Sequence, residues 1–411
     1  MKIKIPLEPG ERSALILSFF YFLLLLSSYY VLRPVRDAQV AGLGRGELRY
    51  LVIAVLVVML AVTPIYATLM RKYSRRVLLP SIYIFFTCNL GLFALAFSVQ
   101  GFGDWTARVF YIWLTVFSYF VVSVFWSFMA DVWREEQGRR LFGFIAAGGS
   151  VGGLIGPQLA RAFVGTLGIP GLTFLSAILL SGTILCIVAL GRLVTEKTAE
   201  TQTKIEGSMF QGVMLVLRSP FLISIAVIIV FTGMVAQFAY TEMIDLAGKA
   251  MPDAAVRTKF FANLDFWTNA LTLLMQAIIV GLLTTRLGVI APLLGLAVIG
   301  FLSFVALALS PTLAMLGATT VARRVAEYGM GKPGRDMLYT VASPQEKYLA
   351  KNVIDTLVYR GCDPIANWVY TGLLALGFTL GGISWISAFA MGGVALASIA
   401  AVRGYRARGG K

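Results

Sequence analysis

Apolar stretches long enough to cross a bilayer, about 20 residues each at 1.5 Å rise per residue, recur along the whole chain with only short polar breaks. A segment in hydrocarbon must satisfy its backbone hydrogen bonds internally, and stretches this long and continuous do so as helices. Only 13% of the residues are charged and 58% are hydrophobic, against roughly 25% charged in an average soluble domain. No segment is left over for a soluble catalytic domain. The spacing predicts spans at 13–36, 49–70, 77–99, 107–131, 141–164, 171–191, 219–245, 260–285, 288–309, 312–331, 356–379 and 382–402. The first apolar stretch is too long for a signal-peptide core and has no small-residue cleavage site behind it, so it is expected to be retained.

Histidine is absent, and Cys88, Cys186 and Cys362 fall in or near apolar stretches without C-x-x-C spacing. A zinc site, a histidine proton relay and a nucleophile–base pair are therefore not expected, and neither is an enzyme or a resident cofactor. The formal net charge is +15, but its basic residues are scattered singly between spans, which argues against nucleic acid as a partner. Membrane topology explains them better. With both termini cytoplasmic, most of the 35 basic residues fall on the inner side, as the positive-inside rule requires. The bacterial inner membrane is the expected location, with a monomer in the lipid bilayer.

The longest polar break that is not itself amphipathic, "GRLVTEKTAETQTKIEGS" at 191–208, falls between the sixth and seventh spans. It divides the chain into an N-terminal half at 1–190, a linker at 191–218 and a C-terminal half at 219–411. An all-α membrane protein of twelve helices in two six-helix halves resembles the major facilitator superfamily, whose halves are related by an axis along the membrane normal. "YATLMRKYSRRVLLP", after the second span, resembles that superfamily's basic loop between helices two and three, and "LLTTRLGVIAPLL" is its weaker counterpart after the eighth. The resemblance implies a cavity lined by helices one, four, seven and ten.

Ionisable side chains inside spans are costly and need a partner, a water-filled cavity or a function. In "YYVLRPVRDAQV", Tyr30, Arg33 and Asp37 share one helical face, and Tyr29, Arg33 and Arg36 another, provided that the helix continues through Pro34. These residues read as a cationic, aromatic-edged patch for an anion, or as arginines that snorkel and pair with Asp37. Tyr240 and Glu242 near the end of the seventh span, and Asp265 with Asn269 in the eighth, read as partners of those arginines or as proton carriers. In the tenth span Arg323 lies about 17 Å in. Either it or Arg324 is a candidate for an anionic group, and Arg323 with Glu327 has the i, i+4 spacing of a pair that neutralises itself.

In the fifth span, "GFIAAGGSVGGLIGP" places Gly148, Gly152 and Gly156 four residues apart. No lysine follows, as a phosphate-cradling loop would require, so a face for close helix packing is expected. The stretch also resembles the glycine–proline motif of superfamily antiporters, which keeps a proton-driven exporter of a lipophilic or cationic compound as the alternative.

The segment "KPGRDMLYTVASPQEKYLAKNVIDTLVYRGCD" at 332–363 is unusually polar for its place. Arg335, Lys347, Lys351, Asp355 and Arg360 read as a cytoplasmic gate, with Lys351 and Asp355 at i, i+4. "LRPVRD", "KYLAKNVIDTLVYR" and "FWSFMADVWREEQGRRLFGFIAAGGS" together resemble stretches of the ATP:ADP antiporter family of intracellular bacteria and plastids, with its relatives in free-living bacteria. That resemblance implies a secondary transporter of a small organic anion, plausibly a nucleotide or another phosphorylated compound, working by alternating access. Arg33, Arg36 and Arg323 or Arg324 would then hold the anion, Tyr29, Tyr30 and Tyr240 would stack on its ring, and Glu242 or Asp265 would set coupling.

Overall fold

The computed structural model describes residues 11–72, 75–99, 103–193, 209–280 and 286–410. Lys2, Lys4 and most of the polar break at 191–208 lie outside the described residues, as do the side chains of Arg71, Arg75 and Arg76 in the basic loop. Among the described residues no strand occurs, and eight helical segments are long and apolar enough to cross a membrane. The protein is a multi-pass α-helical membrane protein. It forms two compact units, one of residues 1–202 with 248–266, the other of residues 203–247 with 267–411.

In the first unit, α1 (Glu11–Leu43), α2 (Arg45–Lys72), α3 (Arg75–Ser98), α4 (Gly103–Val132) and α5 (Glu135–Leu193) follow in order. The helix of α1 continues through Pro34, so Arg33, Arg36 and Asp37 keep their helical spacing. The expected fifth and sixth spans are one element broken at Gly168, whose φ of 65° and ψ of −173° only glycine adopts readily. Lengths 135–167 and 169–193 lie on either side of that break, both longer than the roughly 20 residues a span needs.

Hydrophobicity gives helices in lipid no reason to associate, so contact depends on backbones coming close. The glycines of α5 provide that approach to α1. A Cβ on Gly156 would lie 2.7 Å from the Ser27 carbonyl oxygen and 2.6 Å from Tyr30 Cβ, and one on Gly152 would collide with the Leu23 carbonyl oxygen. Beyond Gly168, the hydroxyls of Ser28 and Ser176 meet at 2.7 Å. On another face of α1, the buried Tyr21 hydroxyl donates to Tyr83 of α3 at 2.7 Å, which donates in turn to the Val121 carbonyl of α4 at 3.3 Å.

The second unit contains α6 (Met209–Arg218), most of α7 (Pro220–Ala250), the latter part of α8 (Ala254–Leu274), α9 (Ile290–Leu309), α10 (Leu313–Ala326), α11 (Lys332–Leu338), α12 (Tyr359–Ala375) and α13 (Leu380–Ala407). Among the described residues four π-helical segments interrupt the α geometry: Met275–Val280 after α8, Glu327–Gly331 between α10 and α11, then Glu346–Ala350 and Val353–Val358 before α12. The end of the expected linker is thus a helix rather than a loop. It packs on the third π segment, where a Cβ on Gly212 of α6 would lie 2.7 Å from the Leu349 carbonyl oxygen.

Gly156→Val is expected to cost about 1–3 kcal/mol through overpacking against α1, lowering the thermal midpoint of purified protein. Gly143→Ala, where an added Cβ meets nothing within 4 Å, is the control expected to leave it unchanged.

Candidate functional site

The expected patch on α1 forms a charge network inside the first unit. Arg36 donates from Nε and NH2 to Asp37 Oδ1 at 2.9 and 2.7 Å and from NH1 to Thr115 of α4 at 3.3 Å. Its guanidinium also stands 5.2 Å from the centroid of the Tyr111 ring. Arg33 lies 3.5 Å from Asp265 Oδ1, in the part of α8 that belongs to this unit, and 5.8 Å from the Tyr30 ring. The rings of Tyr29 and Tyr30 meet edge to face at 5.1 Å. Both carboxylates are almost fully buried, and each stands beside an arginine.

Arg257 is a further cation of the first unit. It is buried, and its guanidinium donates to the carbonyls of Ala38, Met251 and Pro252 at 2.8, 2.8 and 2.7 Å. It therefore ties the start of α8 to the end of α1, where Gly42 leaves room for its NH2. Asp253 caps that helix by accepting from the Val256 N–H at 2.9 Å. A lone arginine in a first helical turn carries no sequence signal of such a role.

In the second unit α10, the π segment Glu327–Gly331 and α11 run on without a break. Here two expected pairings fail. Glu327 pairs with Arg335 at 2.6 Å rather than with Arg323, and Lys351 pairs with Asp336 at 2.8 Å rather than with Asp355. Arg323 and Glu327 keep α-helical spacing, with the Glu327 N–H still bonded to the Arg323 carbonyl, but the π segment that begins at Glu327 inserts a residue beyond it. Eight residues across one such insertion then span two turns, as seven do in an α-helix, which brings Glu327 and Arg335 onto one face. The π segment Val353–Val358 breaks the register of Lys351 and Asp355 in the same way.

Arg323 is left in an exceptional state. The residue is 8% exposed, its Nε is buried without an acceptor, and among the described residues its guanidinium makes no ion pair. Arg324 beside it is half-buried. The π distortion is supported from α8, since Gln276 donates to the Tyr328 carbonyl at 3.0 Å and Met275 packs where Gly329 has no side chain.

Tyr240 and Glu242 are on α7. Glu242 lines a small apolar cavity with Phe238, Phe304, Tyr370, Ile383 and Ser384, and nearby Thr241 accepts from Asn367 at 3.2 Å. Among the gate residues, Lys347 and Asp355 are exposed, Lys351 also stands 5.0 Å from the Tyr339 ring, and Arg360 lies 5.9 Å from that of Tyr359. In the same polar segment, both carboxylate oxygens of Glu346 accept from Arg408 NH1 at 3.0 Å and Oε2 also accepts from the Ser343 N–H at 2.9 Å, while Arg408 NH2 reaches Ser219. Burial pushes the Glu346 carboxyl up, but the Ser343 N–H and the Arg408 guanidinium outweigh it and hold it below the usual carboxylate range.

No model of a known protein family matches the sequence, and no curated protein matches it either. Solved structures do match over nearly its full length. A bacterial homologue of the human lysosomal transporter Spinster, in an inward-facing and unoccupied conformation, is 15% identical with a TM-score of 0.57, and the match covers 98% of this chain and 97% of that one. A bacterial homologue of the iron transporter ferroportin is 13% identical with a TM-score of 0.63, covering 96% and 98%. The nucleoside transporter NupG is 14% identical with a TM-score of 0.62, covering 95% and 99%.

Two measurements test the pairs. Arg33→Gln and Asp265→Asn should each destabilise the protein, and the double variant should lose less than the sum of the two, because breaking a buried pair from one side leaves an uncompensated charge. Glu346→Gln should cost less than about 1 kcal/mol at neutral pH. Its folded-state pKa is lowered, so its contribution is complete above the unfolded value of about 4.3 and is lost as pH falls through the folded one. Acid thermal scans should accordingly fall less steeply for Glu346→Gln than for wild type.

These three matches, at such identities, show the fold alone, and the chain folds as those three solved transporters do.

Proposed function

We propose that the protein is a secondary active transporter of a small organic anion, working by alternating access. The observation that carries the anion is Arg323, a guanidinium buried within a membrane helix without an ion pair. A buried charge without a bonded counter-charge is costly, and intramembrane arginines that persist mark substrate or ion pathways. The fold shared with solved transporters supports transport, and the resemblance of the "LRPVRD" and "KYLAKNVIDTLVYR" stretches to the ATP:ADP antiporters favours a nucleotide or another phosphorylated compound.

On this reading the chain makes twelve passes. The helical lengths 254–280, 313–338 and 353–375, too polar to qualify by hydropathy, complete the set together with the two parts of α5. The basic loops then place both termini in the cytoplasm of a bacterial cell. The arginines of α1, which stand beside Asp37 and Asp265, act in shaping the pathway, while Arg323 holds the anionic group.

The test begins with a thermal-stability screen of purified protein against nucleotides, sugar phosphates and di- and tricarboxylates, since a ligand of the folded state raises stability. Any stabilising compound is then used, radiolabelled, for counterflow in proteoliposomes. Arg323→Gln is expected to weaken binding roughly ten- to a hundredfold, the worth of a charged hydrogen bond, and to suppress counterflow. Wild-type counterflow with unchanged Arg323→Gln would overturn the site, and the absence of counterflow with every compound would overturn transport of an anion.

A further inference from the structure

Three side chains on the continuous helix from Leu313 to Leu338 set one carboxylate near two guanidiniums, bonded to one of them and within electrostatic reach of the other. Glu327 Oε1 accepts from Arg335 NH2 at 2.6 Å. Its other oxygen, Oε2, is buried and accepts nothing, Arg335 NH1 is buried and donates to nothing, and Arg323 Nε is in the same condition. Arg323 and Arg335 are 8% and 9% exposed. The trio thus carries one net positive charge and two orphaned donors, one on either side of Glu327. Among the described residues Glu327 is the one carboxylate in ion-pair contact with either guanidinium, although Asp355 lies near enough to act on Arg335 electrostatically.

We propose that Arg323, Glu327 and Arg335 form one oxyanion site in which Glu327 is a built-in competitor for the arginines. This rests on the anion reading above and deepens it. The ligand group is a carboxylate or a phosphoryl group, whose paired oxygens suit guanidinium donors. With the site empty, Glu327 occupies Arg335. An entering oxyanion accepts from Arg323 Nε and Arg335 NH1, and Arg335 turns from Glu327 towards it.

Two consequences follow from the shared carboxylate. Glu327 limits affinity by repelling the ligand and by holding one of its donors, which keeps the anion releasable. It also connects substrate to the segment after α11, because Arg335 lies in the stretch that leads through Asp336 to Lys351. The π segment beginning at Glu327 gives this stretch an adjustable register, and such segments recur at functional sites.

The experiment uses the full chain in nanodiscs at constant ionic strength. The thermal midpoint is followed against inorganic phosphate, pyrophosphate and citrate, with chloride as control. Wild type should be stabilised by at least one of these oxyanions, and the choice between phosphate and citrate identifies the group. Glu327→Gln should shift the half-effect concentration down by roughly tenfold, since one nearby negative charge is removed from a site of low dielectric. Arg323→Gln and Arg335→Gln should shift it up by a similar factor, and Arg335→Lys should fall between. If Glu327→Gln fails to fold, Glu327→Asp retains the charge but shortens its reach to Arg335, and it should shift the half-effect concentration down several-fold.

An unchanged or raised half-effect concentration in the Glu327 variants, with loss in Arg323→Gln, would overturn the competitor while leaving the anion reading intact. No oxyanion response in wild type, from inorganic anions or from the compounds screened for transport, would overturn both.

Discussion

Within hydrocarbon a charge has no water to fall back on, and the way each buried charge finds a counter-charge organises this structure. Arg36 is bonded to Asp37 on its own helix, Arg33 stands against Asp265, and Arg335 takes Glu327. Arg257 solves the same problem without an acid, by donating to three backbone carbonyls at the junction of α1 and α8. Against these solutions the state of Arg323 stands out. Stability alone gives no reason to keep it, since a buried ion pair is at best weakly stabilising and a lone buried charge is unfavourable.

The scaffold that holds these charges is built by steric fit. In lipid the apolar surface of a helix gains little by meeting another, so α1 and α5 associate where glycine lets their backbones approach, at Gly148, Gly152 and Gly156. That contact fixes the middle of α1, immediately before the segment with Tyr29, Tyr30, Arg33, Arg36 and Asp37. The aromatic neighbours on α4 and the hydroxyl chain through Tyr21 and Tyr83 position the opposite side. A single small-residue face therefore determines where the charged end of α1 is presented.

The second unit depends on a different device. Among the described residues, three of its four π-helical segments lie between Glu327 and Val358, a stretch that also holds Arg335, Lys347, Lys351 and Asp355. An inserted residue rotates everything beyond it, so side chains that spacing would pair are separated and others are joined. Glu327 consequently meets Arg335 two turns on, and Lys351 reaches Asp336.

The helical membrane class, the positions of most spans and the glycine packing face were legible in the chain, because the bilayer imposes a length and an apolarity that any window of sequence reveals. The candidates Arg33, Arg36, Asp265, Arg323 and Glu327 were legible too, since a charge inside an apolar run is conspicuous. Partnership was not. Whether Arg33 meets Asp265, whether Arg257 gathers three carbonyls, and whether Glu327 turns to Arg323 or to Arg335 depend on which helices touch and on where the helical register slips. Those are properties of packing between segments distant in the chain, and only the tertiary structure decided them.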